Sequence, residues 1–116
     1  MLKFFNYFPL DWEGSNLMNI NENDEAYIIN FRAVGLSKED IEIGIEGNVL
    51  SISTKTSKNE TKWIQQEFWN DRINKKIEFP SDVDVDGVSA EVEKGILKIR
   101  LPKAKTSTKR RSIRVD

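Results

Sequence analysis

The chain has 116 residues with no cysteine and no histidine, and its 18 basic and 19 acidic side chains leave a net charge of −1. That length suits one domain able to bury roughly two-thirds of its unfolded surface without covalent staples, while the composition excludes disulfides, thiolate catalysis, cysteine-ligated metals and an imidazole base. The near-zero charge argues against a strong electrostatic footprint for nucleic acid, and no apolar run approaches the ~20 residues of a membrane-spanning helix.

Residues 1–22 read as an N-terminal arm that opens Met-Leu-Lys-Phe-Phe-Asn-Tyr-Phe-Pro-Leu-Asp-Trp. Phe4, Phe5, Tyr7, Phe8 and Trp12 are five of the eleven aromatic residues, and no strand period organises them. One reading packs them locally onto their own domain. The other makes them candidate contacts for other protein chains, because aromatics that a small domain cannot cover tend to be interaction sites. Asn6, Pro9 and Asp11 break any signal-peptide core, so the expected location is cytoplasmic.

From Ala26 the pattern becomes β. Tyr27, Ile29, Phe31 and Ala33 share one face of a strand, and Ser37-Lys38-Glu39-Asp40 resembles a capping box after Gly35-Leu36. Ile41, Ile43 and Ile45 alternate with Glu42, Gly44 and Glu46; Gly47-Asn48 reads as a two-residue hairpin turn, and Leu50 and Ile52 continue inward on the return strand. Thr54 to Lys62 is polar without alternation and reads as a loop. Lys62 to Trp69 and Arg72 to Phe79 read as two strands around an Asn70-Asp71 turn, followed by a breaker-rich connection from Pro80 to Gly87.

Val88, Ala90 and Val92 then alternate with Ser89, Glu91 and Glu93, and Leu97, Ile99 and Leu101 with Lys98 and Arg100. Gly95 supplies the backbone freedom to reverse the chain, and Pro102 removes the next amide donor. This is a half-buried antiparallel pair. Seven alternating strands with no convincing helix predict an all-β, immunoglobulin-like antiparallel sandwich over residues 23–102, with residues 103–116 as a flexible basic tail.

The order of residue types around this turn, with Ala90, Gly95, Leu97 and Pro102 and the Leu101-Pro102-Lys103 ending, resembles the signature hairpin of the alpha-crystallin domain of small heat-shock proteins. The resemblance extends from about Asn19 to Pro102, through Asn19-Ile20-Asn21-Glu22, Ala33 to Ile41, Asn48-Val49-Leu50-Ser51-Ile52 and Phe79-Pro80 in the family's order. Beyond it, Ile113-Arg114-Val115 looks like the family's C-terminal Ile-x-Ile/Val motif. Side chains at i and i+2 of an extended segment project to one side, so Ile113 and Val115 can enter adjacent pockets while the backbone pairs with a sheet edge. The resemblance implies docking into a neighbouring subunit, in the groove between the strands at 41–46 and 88–93.

Three positions depart from the family pattern. Val34 stands where proline is frequent. Lys75 stands where arginine is usual, on a face otherwise formed by Ile73, Ile77 and Phe79, making it a candidate dimer-interface charge that needs a partner and cannot supply arginine's bidentate contact. The loop from Thr54 to Lys62 is shorter than the bacterial and plant dimerisation loop, which normally carries a strand exchanged with the partner subunit.

The resemblance implies an ATP-independent chaperone, a holdase that binds partly unfolded proteins under stress and assembles into homodimers and larger oligomers. The alternative is a monomeric co-chaperone of the related sandwich fold that serves an ATP-driven chaperone. Lys109-Arg110-Arg111 lies apart from the aromatics and reads as a solvated tail, so no nucleic-acid partner is expected. No enzymatic activity or cofactor is expected either: phosphate-cradling and dinucleotide-binding glycine patterns are absent. Asp82, Asp84 and Asp86 lack the remaining ligands of a calcium loop and read as a solvated connection.

Overall fold

Alternation of apolar and polar residues produces two four-stranded antiparallel sheets, seen in a computed structural model that describes residues 4–6, 18–55 and 61–104. One sheet has the order β1 (Phe5–Asn6), β6 (Asn74–Glu78), β5 (Val49–Thr54), β4 (Ile41–Glu46); the other has β2 (Met18–Glu22), β3 (Ala26–Arg32), β8 (Ile96–Pro102), β7 (Ser89–Glu93). All pairings are antiparallel. The expected all-β sandwich is the observed architecture.

Cross-strand rows make the core. In the second sheet Met18, Phe31, Leu97 and Val92 stand opposite one another, as do Ile20, Ile29, Ile99 and Ala90. In the first, Ile45, Leu50 and Ile77 form one row and Ile43, Ile52 and Lys75 the next. Ile29, Phe31, Leu50, Ile52, Ile73, Ile77, Leu97, Ile99 and Leu101 are buried between the sheets. Each such side chain contributes about 1.5–3 kcal/mol by leaving water.

The turns follow local chemistry. In the β7–β8 hairpin the two loop residues, Lys94 and Gly95, have φ of 54° and 77°, the left-handed pair that matches strand twist. The Gly95 carbonyl then accepts from the Ala33 amide at 2.7 Å, tying the hairpin to the end of β3. Ser37 precedes a single 3₁₀ turn, Lys38–Asp40, and the Asp40 carboxylate accepts from the Ser37 amide at 2.9 Å. The capping chemistry expected from the sequence is present there.

Two expectations are corrected. Lys62 to Trp69 is not a strand: residues 61–73 contain none, and no strand among the described residues lies alongside this stretch to pair with it. Asn70-Asp71 is consequently not a hairpin turn, and the strand expected from Arg72 to Phe79 is confined to Asn74–Glu78. Strands also occur within the first 22 residues, which the sequence assigns to an arm: Met18–Glu22 lies along β3, and Phe5–Asn6 lies along β6.

Candidate functional site

The inner face of the sandwich is uncovered at two free edges. On β4, Ile43 and Ile45 stand opposite the buried Ile52 and Leu50, yet each is 36% exposed because no strand of the described residues lies beyond them. On β7, Ala90 stands opposite buried Ile99 and is itself exposed, while Val92, and Val88 just before the strand, are half-buried against the core. A strand edge with apolar side chains beside unpaired backbone groups is suited to adding an extended segment. Of the hairpin residues singled out in the sequence, Leu97 is buried, Gly95 turns the chain and Pro102 ends β8.

A further group of exposed apolar side chains among the described residues lies elsewhere. Ile64 is fully exposed, and Trp63, Phe68 and Trp69 are each more than half exposed. This segment is fastened at its C-terminal end by Asp71, whose carboxylate accepts from the Val34 amide at 2.8 Å and from Arg32 Nη2 at 2.9 Å. The Asp71 amide in turn donates to the Val34 carbonyl at 2.9 Å. Gly35 leaves the space that Asn70 fills: a Cβ there would lie 2.1 Å from Asn70 Oδ1, and φ is +83°. Sequence reasoning did not single out Trp63, Ile64, Phe68 and Trp69; the signal was a cluster of four large apolar residues within seven positions.

Lys75 occupies the inner row with Ile43 and Ile52 and is half-buried between Ile73 and Ile77. It forms no ion pair with another described residue. Phe4 packs against the core, its ring edge-on to Tyr27 with centroids 5.3 Å apart. Phe5 contributes backbone to β1. Tyr7, Phe8, Trp12, Ile113 and Val115 lie outside the described residues.

The acidic connection is less solvated than its composition suggested. The Tyr27 hydroxyl donates to the Asp82 carboxylate, 3.0 Å from each oxygen, and Lys103 Nζ lies 5.0 Å from the ring centroid while pairing with Glu22 at 2.6 Å. Asp84 accepts from the Asp86 amide, and no three acidic side chains converge on a metal-sized site among the described residues. Burial, followed by the hydrogen bond to Asp82, pushes the Tyr27 phenol up to about 12 from its ordinary 10.0. The folded chain then holds a proton that the unfolded chain releases, so this contribution to stability is complete below pH 10.0 and is lost as pH rises through about 12. Unfolding midpoints measured across that interval should fall more steeply for the native chain than for Tyr27→Phe; parallel profiles would mean that the phenol is not held in this way.

Two packed four-stranded antiparallel sheets, closed by the hairpin that turns at Gly95 and stops at Pro102, place the chain in the alpha-crystallin class of sandwiches. The sequence model of the Hsp20/alpha crystallin family matches residues 19–116, and the chain belongs to that family. It is 36% identical over 115 residues to the peroxisomal 15.7 kDa heat shock protein of Arabidopsis thaliana, covering 90% of this chain and 83% of the relative. It is 30% identical over 102 residues to small heat shock protein C4 of Rickettsia felis, covering 84% of this chain and 62% of the relative. Of some other curated relatives, in chloroplasts and mitochondria of plants, the chain spans less than half the length. Among solved structures, a small heat-shock protein from Xylella fastidiosa superposes with a TM-score of 0.69 at 24% identity, over 87% of this chain and 95% of that one, and so shares the fold. The family is one of non-enzymatic chaperones. No helix of the described residues is long and apolar enough to cross a membrane.

Proposed function

We propose that this chain is an ATP-independent holdase that captures partly unfolded proteins under stress and assembles into dimers and larger homo-oligomers. The observation that carries the reading is the segment of Trp63, Ile64, Phe68 and Trp69, fastened by Asp71 and left more than half exposed at each of these side chains by the described residues. Folding intermediates expose apolar patches and unpaired strand edges, and a partner offering both competes with their self-association. In this reading the chain acts in the cytoplasm.

In this reading Trp63 to Trp69 meets a second subunit, Lys75 finds its counter-charge there, and Ile113 and Val115 dock at the open β4 and β7 edges of a neighbour. Phe4, Phe5, Tyr7, Phe8 and Trp12 add to assembly or client capture. Light scattering on the full chain and on Ile113→Ala/Val115→Ala tests the assembly. A large assembly that falls to dimers in the variant is expected, alongside suppression of client aggregation without nucleotide. Monomers for both proteins at every concentration would overturn the assembly and make the co-chaperone alternative the leading one.

A further inference from the structure

The strand β1 is two residues long and covers what is otherwise the free edge of β6, with Phe5 opposite Glu78 and Asn6 opposite Ile77. Immediately before it, Phe4 crosses to the other sheet and sets its ring edge-on to Tyr27, with planes at 80°. Three consecutive arm residues therefore fill two vacancies at once: a backbone edge on one sheet and an aromatic seat on the other. The seat is built without them. Asp82 holds the Tyr27 hydroxyl, and Lys103, paired with Glu22, lies over the ring.

The cover is weak by construction. A pairing of two residues offers few backbone bonds beside the five- to seven-residue ladders of β2, β3, β5, β7 and β8, so its opening belongs to the low-free-energy end of local unfolding. Its opening exposes Tyr27, the edge of β6 and Phe4 itself. The chemistry of what fits there is given by its present occupant: extended backbone for antiparallel pairing, preceded by an uncharged aromatic side chain. Unfolded polypeptides present that combination, and native proteins hide it.

We infer that Phe4–Asn6 is a releasable cover, and that the β6 edge and Tyr27 seat it vacates take an extended, aromatic-bearing segment of an unfolded client protein. This deepens the holdase reading and rests on it. The chain has no cysteine, so Phe5→Cys/Glu78→Cys places one oxidisable pair at directly opposed backbone positions.

Protection of heat-unfolding malate dehydrogenase is measured with this full-length variant oxidised and reduced, beside the native chain. The oxidised form is expected to lose most of its protection and to regain it on reduction. In parallel, Phe4→Ala should speed amide exchange in β6 roughly tenfold, the effect of deleting an aromatic pair, while the β5 and β8 amides stay slow. Equal protection by oxidised and reduced forms, or unchanged β6 exchange in Phe4→Ala, would overturn the inference. Cross-links forming between chains would overturn it in favour of a second copy as the occupant. Failure of the native chain to protect would instead sink the holdase reading, and the inference with it; β6 exchange would still report on the cover.

Discussion

Phe31→Ala should lower the free energy of unfolding by about 3–5 kcal/mol, a large share of the roughly 5–15 kcal/mol that a domain of this kind has. Phe31 is 1% exposed and sits on β3, which is hydrogen-bonded to β2 on one side and β8 on the other. Met18 and Leu97 stand directly opposite it. Ladders on both flanks keep the backbone from closing on the vacated volume, so both the transfer and the cavity contributions are lost. The same truncation at Ile43, on the free edge of β4 and partly in water already, should cost about 1 kcal/mol or less because solvent and neighbours can fill the gap. Urea unfolding at one fixed protein concentration, which holds any linkage to assembly constant, measures both. Equal losses at the two positions would mean that the β4 edge is closed in solution and that the open-edge geometry does not describe the working protein.

The contrast between those positions also marks how far the sequence could be read. Period-two alternation placed Tyr27, Ile29, Phe31, Leu50, Ile52, Leu97, Ile99 and Leu101 on inward faces, and all are buried. Alternation reports which face a residue takes, but not whether a further strand lies beyond it. Ile43 and Ile45 carry the same signal as Leu50 and Ile52 and differ only in being at an edge. The identity of the family was legible because the Gly95 turn, the Pro102 stop and the motifs before them occur in a fixed order, which is information that hydrophobic period does not contain.

Residues 62–73 depart from the strand their composition predicts for a physical reason. Trp63, Phe68 and Trp69 have high strand propensity, but a strand needs a neighbouring strand to pair with, and among the described residues none lies beside them. The anchor that fixes the segment was equally hidden: Asp71 bonds to Arg32 and Val34, 39 and 37 residues away, and no local pattern announces such a pairing. Asp82 is a similar case. Its place in an Asp-rich connection suggested solvent, whereas the bond from Tyr27, 55 residues earlier, makes it part of the structure.

Ile64→Asp/Trp69→Asp should weaken self-association at least about a thousandfold while leaving the fold of the subunit intact. Neither side chain is buried in its own chain, so the isolated subunit has little to lose; exposed substitutions away from caps and networks generally change stability by less than about 0.5 kcal/mol. If the two are buried between subunits, each contributes about 1.5–3 kcal/mol. A symmetric dimer counts the pair twice, so even the lower value gives about 6 kcal/mol, or more than four decades in the dissociation constant. Placing carboxylates in an apolar contact adds a desolvation cost. The anchor at Asp71 sharpens the effect, because a segment held at one end has already lost part of the freedom that association would otherwise remove. Light scattering across a dilution series should show the variant dissociating at concentrations where the native chain stays assembled. Unfolding transitions compared at dilutions where both are dissociated should coincide. An unchanged mass would show that subunits meet elsewhere and would leave Trp63, Ile64, Phe68 and Trp69 as a client-facing surface alone. A collapsed unfolding transition would instead show that the segment folds onto its own domain in solution.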